Sequence, residues 1–236
     1  MQHLPTNSVV QSPAMGSDAC LFRPMTEADI PQVYAIDHEC FPAESMFRPY
    51  SSYGREMHNS MAHYIVACVP SRQRSEHMRR SWMRRLLSGG SLSTSPATTR
   101  QDLLVGFAGF WVMLDEAHII AIAVRKPYRR QAIGEGLLLC VIDMATSLRT
   151  RLLTLEVRAS NHPAQQMYLK HGFHVVGKRP RYYSDNQEDA VLMSIEDLQD
   201  PEFRERFRQQ KSELLQQDYL SRAIEIPEDS FDPVPD

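Results

Sequence analysis

The sequence has little cysteine, and its cysteines form neither a metal-binding nor a disulfide pattern. Cys20, Cys40, Cys68 and Cys140 are far apart in a chain of 236 residues, and no C-x-x-C pair occurs. Structural zinc sites use closely spaced ligand pairs, and disulfide frameworks are dense in small secreted chains. The sequence therefore predicts neither a zinc site nor a disulfide scaffold.

Long hydrophobic runs and a secretion signal are also lacking. The longest apolar stretch, "LLVGFAGFWVML" at residues 103–114, is shorter than the roughly 20 residues that span a bilayer. The N-terminal stretch has no basic start followed by an apolar run, which a signal peptide needs. We therefore expect a soluble cytoplasmic protein that does not associate with a membrane.

Charge of one sign is not in large excess. The chain has 26 Lys and Arg and 29 Asp and Glu, which gives a net charge of −3. Proteins that coat nucleic acids are strongly basic, so an RNA contact would need a local patch. The candidate is an insertion at residues 70–101, arginine-rich first and Ser/Thr/Gly-rich later. It could dock on ribosomal RNA or a protein partner, although a solvated loop is the commoner outcome.

The pattern of apolar residues predicts a mixed α/β (α+β) fold, with a central sheet of about six to seven strands and about four flanking helices. A strand–helix–strand unit at residues 118–158 predicts a parallel, right-handed crossover. We expect residues 1–18 to be disordered and residues 19–198 to form the domain. Residues 199–236 are predicted to form an amphipathic helix extension and an acidic tail.

The stretch "AIAVRKPYRRQAIGEGLLLC" at residues 121–140 predicts a strand that leads through two arginines into a helix. A helix N-terminus exposes unpaired N–H groups and a positive dipole end, so it can hold a phosphate group. Small residues allow close approach, and arginines add charge-assisted hydrogen bonds. The sequence therefore predicts a pyrophosphate site at residues 130–135. The small residues are Ala132, Gly134 and Gly136, and the arginines are Arg129 and Arg130.

Other phosphate-binding patterns do not fit this stretch. The dinucleotide pattern G-x-G-x-x-G fails because Leu139 stands at the third position after Gly134 and Gly136, and no P-loop string occurs. The G-x-S-x-G elbow of serine hydrolases is absent as well. On this segment alone, a solvated helix entry whose glycines serve packing is equally compatible.

Further motifs follow in the order and spacing of a known family. They are "YRRQAIG", "LEVRASN", "MYLKHGF" and "RYYSDNQEDAVLM", which fall between residues 128 and 193. On these motifs, residues 20–195 resemble the GNAT acetyltransferases. Within that family, residues 102–193 are similar to the RimI branch, the ribosomal-protein-alanine N-acetyltransferases. The later motifs are more specific than the phosphate loop, which N-acetyltransferases share in general.

The phosphate loop departs from the family pattern, which is usually Gln or Arg, two residues, Gly, one residue, then Gly or Ala. Aligned on Tyr128, this pattern places Ala132 where the first glycine is expected. A register that runs from Gln131 to Gly134 and Gly136 also matches, but it changes the distance from the strand. If the family backbone is left-handed there, Ala132 costs stability or cofactor affinity.

The resemblance implies acetyl-CoA as co-substrate, no metal, and a set of site residues. Glu156 would be the general base and Tyr168 the acid that protonates the leaving thiolate, while Tyr182 and Tyr183 would line the peptide site. Without the resemblance, a single glutamate in a strand is more often a surface or salt-bridged carboxylate than a base. A single tyrosine near a helix end is likewise more often a packing residue than an acid. The implied cofactor residues are Ile122, Ala123, Val124, Arg129, Arg130, Gln131, Ala132, Ile133, Gly134, Glu135 and Asn161.

The expected reaction is acetyl transfer to a protein N-terminal amine, by resemblance the N-terminal alanine of a small-subunit ribosomal protein. A free α-amino group has a pKa of about 7.7–8.0, so a modest base suffices to deprotonate it. A backbone N–H near Val124 could stabilise the oxyanion that develops. A small-molecule amine or other protein N-termini remain alternative acceptors, and a non-catalytic acyl-CoA-binding module remains an alternative class.

Overall fold

The computed structural model describes residues 20–45, 48–69 and 102–216. The predictions for residues 1–18, the insertion at 70–101 and the acidic tail lie outside these ranges. The strands are β1 (Leu21–Pro24), β2 (Ala62–Val69), β3 (Leu103–Met113), β4 (Glu116–Val124), β5 (Leu152–Arg158), β6 (His174–Tyr183) and β7 (Glu188–Ile195). The α-helices are α1 (Ile30–Cys40), α2 (Pro42–Ser45), α3 (Tyr50–Met57), α4 (Ile133–Ser147), α5 (His162–Lys170) and α6 (Pro201–Gln216).

The strands form one seven-stranded mixed sheet in the order β1-β2-β3-β4-β5-β7-β6. Every neighbouring pair is antiparallel except β4 and β5, which are parallel and joined through α4. The predicted mixed sheet and its parallel central unit are therefore confirmed. Parallel neighbours need such a crossover because a tight turn can join only antiparallel strands.

The helices differ from the prediction at one place. The sequence pattern predicts one helix over about residues 45–58, but two short helices, α2 and α3, occupy this region. Pro49 precedes α3 with an extended backbone. A proline disfavours helical geometry in the residue before it, so Arg48 cannot easily continue a helix into α3.

A β-bulge and a short pairing shape the centre of the sheet. In β4, Ile119 pairs with Phe110 and Ala121 with Gly109, which leaves Ile120 as an extra residue. The pairing between β4 and β5 covers only Glu116–Ile119 of β4. Since a bulge bends its strand and disrupts the ladder locally, the later part of β4 diverges from β5. The sheet therefore opens into a cleft between the two strands.

Helix α4 covers one face of the sheet and packs very closely on β1. A Cβ added at Gly136 would lie 3.0 Å from Cε2 of the Phe22 ring and closer still to Cζ. Gly136 therefore serves close helix–strand packing. Helices α1 and α3 cover the opposite face, where Val33, Ile36 and Tyr53 are buried.

The predicted C-terminal amphipathic helix is present as α6. Phe203 and Phe207 on its apolar face are buried in the core. Lys211 reaches Asp143 of α4 at 2.7 Å. Within the described ranges, no helix combines the length and the apolarity that crossing a bilayer requires.

Candidate functional site

A cleft of about 1180 Å³ lies between the diverging ends of β4 and β5. It collects nearly all of the site residues that the sequence predicted. The exception is Gln131, whose side chain folds back so that Nε2 donates to the Pro127 carbonyl at 3.4 Å. The predicted residues that line the cleft are Ile122, Ala123, Val124, Arg129, Arg130, Ala132, Ile133, Gly134, Glu135, Glu156, Asn161, Tyr168, Tyr182 and Tyr183.

The end of β4 turns backbone groups towards the cleft. The Val124 carbonyl accepts from Arg129 Nε at 2.9 Å and from the Cys40 thiol at 3.5 Å, whereas the next amide, of Arg125, donates to Val105 in β3. Backbone groups of successive strand residues point to alternate sides, so those of Ile122 face the cleft as well. An extended ligand arm could pair with this edge as an added strand would.

Helix α4 begins at the cleft with backbone donors that its N-cap residue cannot satisfy. Ala132 caps the helix with a φ of 55° and makes no side-chain hydrogen bond. Gly136 is the first amide that reaches back one turn, and it donates to the Ala132 carbonyl at 2.8 Å. The amides of Ile133, Gly134 and Glu135 therefore point out of the positive end of the helix dipole. This arrangement suits a pyrophosphate group.

The backbone of the loop also distinguishes the two possible registers. Ala132 and Arg130 have left-handed φ values of 55° and 62°, whereas Gly134 and Gly136 lie in the helix with ordinary φ. The left-handed residue in front of α4 is thus the one at the position of the family's first glycine. This supports the register aligned on Tyr128.

Replacing Ala132 with glycine is expected to stabilise the protein by about 1 kcal/mol, because left-handed backbone costs an alanine more than a glycine. The midpoint of thermal unfolding should rise by about 2–4 °C. Ala164→Gly, in the first turn of α5 with ordinary helical backbone, is the control and should lower the midpoint. An unchanged or lower midpoint in Ala132→Gly would contradict the assigned strain.

Glu135 places a carboxylate in the first turn of α4, but its charge is compensated. Its Oε1 accepts from Lys170 Nζ at 2.6 Å and from Nε2 of the buried His171 at 2.8 Å. The hydrogen bond from His171, assisted by Lys170, lowers the pKa of Glu135 to about 2. The charge of the carboxylate is thus compensated by Lys170 and by the hydrogen bond with His171, and it repels an anion at the helix start only weakly.

Glu156 lies on β5 at the wall of the cleft, between two cationic or potentially cationic side chains. Its Oε2 is 2.9 Å from His118 Nε2 and its Oε1 is 2.8 Å from Arg179 Nη1. The hydrogen bond with His118, together with the charge of Arg179, holds the pKa of Glu156 below its ordinary value. The carboxylate is therefore ionised at neutral pH, the form that a base requires, but its basicity is reduced.

Tyr168 and Asn161 come from the helix that follows β5. Tyr168 is buried, its ring centre lies 5.5 Å from that of Phe173, and burial raises the pKa of its hydroxyl. The hydroxyl therefore keeps its proton at neutral pH, as an acid must. Asn161 caps α5, since its Oδ1 accepts from the Ala164 amide at 3.3 Å, so it has a structural task as well as a place in the cleft.

Arg158 organises the far end of the cleft. Its Nη2 contacts Glu44 of α2 at 2.5 Å and Asp185 of the β6–β7 turn at 3.1 Å. Its guanidinium lies 4.0 Å from the centre of the Tyr183 ring, and Tyr182 packs edge-on against Tyr183 at 5.2 Å. These contacts hold α2 and the hairpin around the two tyrosines.

Sequence reasoning missed the partners of the predicted residues. Arg158 lies inside the "LEVRASN" motif, so its position could have attracted attention. No sequence motif marks His118 or Arg179 as a partner of Glu156. Each is an isolated residue whose contact with Glu156 depends on strand register. Among the described residues, no group of three or more His, Cys, Asp or Glu side chains could hold a metal ion.

Known proteins resemble this chain in sequence. A protein of Bacillus subtilis (strain 168) with the provisional name ribosomal protein bS18-alanine N-acetyltransferase is 33% identical over 173 residues, 73% of this chain and 93% of the relative.

Solved structures share the fold. The ribosomal-protein-S18-alanine N-acetyltransferase of Escherichia coli has a TM-score of 0.54 and 24% identity, over 75% of this chain and 92% of that chain. Arabidopsis thaliana NAA60 in complex with acetyl-CoA has a TM-score of 0.55 and 18% identity, over 75% of this chain and 97% of that chain.

The acetyltransferase (GNAT) family matches residues 30–173. This match covers more than half of the chain, and the Bacillus relative is aligned over most of its own length. The chain therefore belongs to the GNAT family of acetyltransferases.

Proposed function

We propose that the protein transfers an acetyl group from acetyl-CoA to the α-amino group of a protein N-terminus, with the N-terminal alanine of ribosomal protein bS18 as acceptor. The observation that carries the choice of acceptor is the similarity to a relative named for this substrate, over 93% of that relative's length. The cleft supports the same chemistry, because a proton acceptor and a phenol line one cavity with a phosphate-binding helix end.

The pantetheine arm of acetyl-CoA would lie along Ile122 and Val124, which turn backbone groups into the gap beside β4. Its diphosphate would lie on the amides of Ile133, Gly134 and Glu135, near Arg129 and the left-handed loop before α4. The fit rests on two features of this chain, the divergence of β4 from β5 and the uncapped start of α4. When bound, acetyl-CoA supplies an activated acyl carbon and a thiolate leaving group.

Three groups of the chain would perform the transfer. Glu156 would take a proton from the acceptor amine, directly or through a water, so that the nitrogen has a free electron pair. A backbone N–H near Val124 would donate to the acyl oxygen as negative charge develops there. Tyr168 would give its proton to the departing sulfur, and Tyr182 and Tyr183 would contact the acceptor.

Tyr168→Phe is expected to reduce kcat by about 100-fold or more, because the thiolate loses its proton donor. Affinity for acetyl-CoA should change little, since the ring and its packing on Phe173 remain. The measurement is kcat with the acceptor peptide, together with the Kd of acetyl-CoA by calorimetry. Tyr50→Phe, an exposed tyrosine on α3, is the control. A normal kcat in Tyr168→Phe would mean that water protonates the sulfur.

The acceptor is tested by mass spectrometry of peptides incubated with enzyme and acetyl-CoA. We expect a mass increase of one acetyl group on the α-amine of a peptide with the bS18 N-terminus. The same peptide with a blocked N-terminus, peptides that begin with other residues, and polyamines should remain largely unmodified. Preferred modification of polyamines would contradict the proposed acceptor, and binding of acetyl-CoA without any transfer would favour a non-catalytic module.

A further inference from the structure

A line of polar side chains crosses from β4 to β5 behind the proposed base. His118 of β4 is the strand partner of Thr154 in β5, and its Nδ1 lies 2.8 Å from Thr154 Oγ1. Thr154 Oγ1 in turn lies 3.2 Å from Glu116 Oε1. On its other side, His118 Nε2 lies 2.9 Å from Glu156 Oε2. The order of contacts is therefore Glu116, Thr154, His118, Glu156.

The hydrogen-bonding capacities of these groups assign the protons. An ionised carboxylate and a backbone carbonyl can only accept, so the single hydroxyl proton of Thr154 points to Glu116 Oε1 or to the Ala117 carbonyl, which lies 3.5 Å away. The hydroxyl oxygen is then an acceptor towards the ring, and His118 Nδ1 carries a hydrogen and donates it. Nε2 and Oε2 face each other across 2.9 Å, so one further proton can bind between them. His118 and Glu156 thereby form a single place at which the proton can lie.

Other charged groups near the pair come from the neighbouring strands. Arg179 of β6 contacts the second oxygen of Glu156, and Tyr183 of β6 is close enough to sense its charge. Glu116 of β4 stands behind Thr154. Arg179 already compensates the carboxylate, so Glu156 alone is too acidic to hold an extra proton well near neutral pH. Imidazole is the side chain with ordinary affinity for a proton in that range.

We propose that His118 is a positioning residue that makes Glu156 and the imidazole a single proton acceptor for the reacting amine. This inference rests on the proposed function and deepens it. The N–H bond of the acceptor ammonium breaks and its electron pair stays on nitrogen. The proton binds Glu156 and comes to rest between Oε2 and Nε2. Glu156 belongs to the wall of the cleft and His118 does not, so His118 acts through Glu156.

The kinetic test compares His118→Gln with wild type across pH. Removal of the ring should lower kcat by about tenfold or more and leave KM for acetyl-CoA within about twofold, since His118 does not reach the cofactor cleft. The acid limb of the pH profile of kcat/KM should move to lower pH. Without His118, the Glu156 carboxyl has only Arg179 beside it and loses its proton at a lower pH. The acceptor amine titrates identically in both proteins, so this displacement belongs to the enzyme.

His174→Gln is the matched control, because His174 also pairs with a glutamate, Glu196 at 3.2 Å, but on the exposed surface. Its kinetics and pH profile should equal those of wild type. An unchanged pH profile in His118→Gln, with or without a lower rate, would overturn the inference and leave His118 a structural side chain.

A second measurement needs no acceptor. Nitrogen NMR of the protein with labelled histidine, assigned by the signal lost in His118→Gln, should show the hydrogen of the neutral His118 ring on Nδ1. Hydrogen on Nε2 instead would overturn the inference. Failure of the proposed function would appear separately, as the absence of acetylated peptide.

Discussion

Glu156→Gln is expected to reduce kcat for acetyl transfer by about 100- to 10,000-fold, the usual contribution of a positioned general base. Glutamine has nearly the same shape but cannot take a proton from the acceptor amine. Arg179, which loses its ionic partner, is half exposed and is solvated instead, so the fold should survive. The Kd of acetyl-CoA should stay close to that of wild type, because Glu156 does not belong to the phosphate-binding loop.

The measurement is turnover with the acceptor peptide, with circular dichroism to confirm folding. Glu196→Gln is the control, because Glu196 also pairs with a histidine but its side chain is 75% exposed. It should have wild-type turnover. Turnover near that of wild type in a folded Glu156→Gln protein would remove Glu156 from the mechanism.

Gly136→Ala is expected to destabilise the fold by about 1–3 kcal/mol, the range for overpacking a well-packed core. The added methyl group would meet the Phe22 ring at 3.0 Å or less. Both residues are buried between α4 and β1, so the ring cannot move into solvent. Helix α4 must then shift, and its N-terminus carries the proposed phosphate site. Denaturant unfolding monitored by circular dichroism measures the loss.

Two variants show whether the contact with Phe22 is responsible. Phe22→Leu, which shortens the ring side chain, should recover part of the stability when combined with Gly136→Ala, and this non-additivity is the signature of direct contact. Gly54→Ala in α3, where no atom lies within 4 Å of the added carbon, should be neutral or mildly stabilising. A Gly136→Ala protein as stable as wild type would contradict the packing described for α4.

The sequence was most informative where local chemistry decides the structure. The strand, loop and helix at residues 121–140 could be predicted from neighbouring residues alone. An apolar run indicates the strand, and the two arginines with the small residues indicate the loop and the start of the helix. The parallel β4–α4–β5 unit followed from handedness and connection rules. The cleft then brought the predicted residues together, apart from the side chain of Gln131. Their catalytic and binding roles remain predictions.

Other features depend on register and could not be predicted from neighbouring residues. The bulge at Ile120 opens the sheet, yet no residue there marks it. His118 and Glu156 meet only because parallel pairing places Thr154 beside His118. The contacts of Arg158 with Glu44, Asp185 and Tyr183 join strand, helix and hairpin segments that are distant along the chain. Pairwise contacts of this kind follow from the assembled fold.

The direct test is a crystal structure of the protein with coenzyme A. We expect the diphosphate within hydrogen-bonding distance of the amides of Ile133, Gly134 and Glu135, and the sulfur beside Tyr168 on the side of the cleft that carries Glu156. Coenzyme A bound elsewhere, or a cleft that stays empty at saturating ligand, would contradict the account.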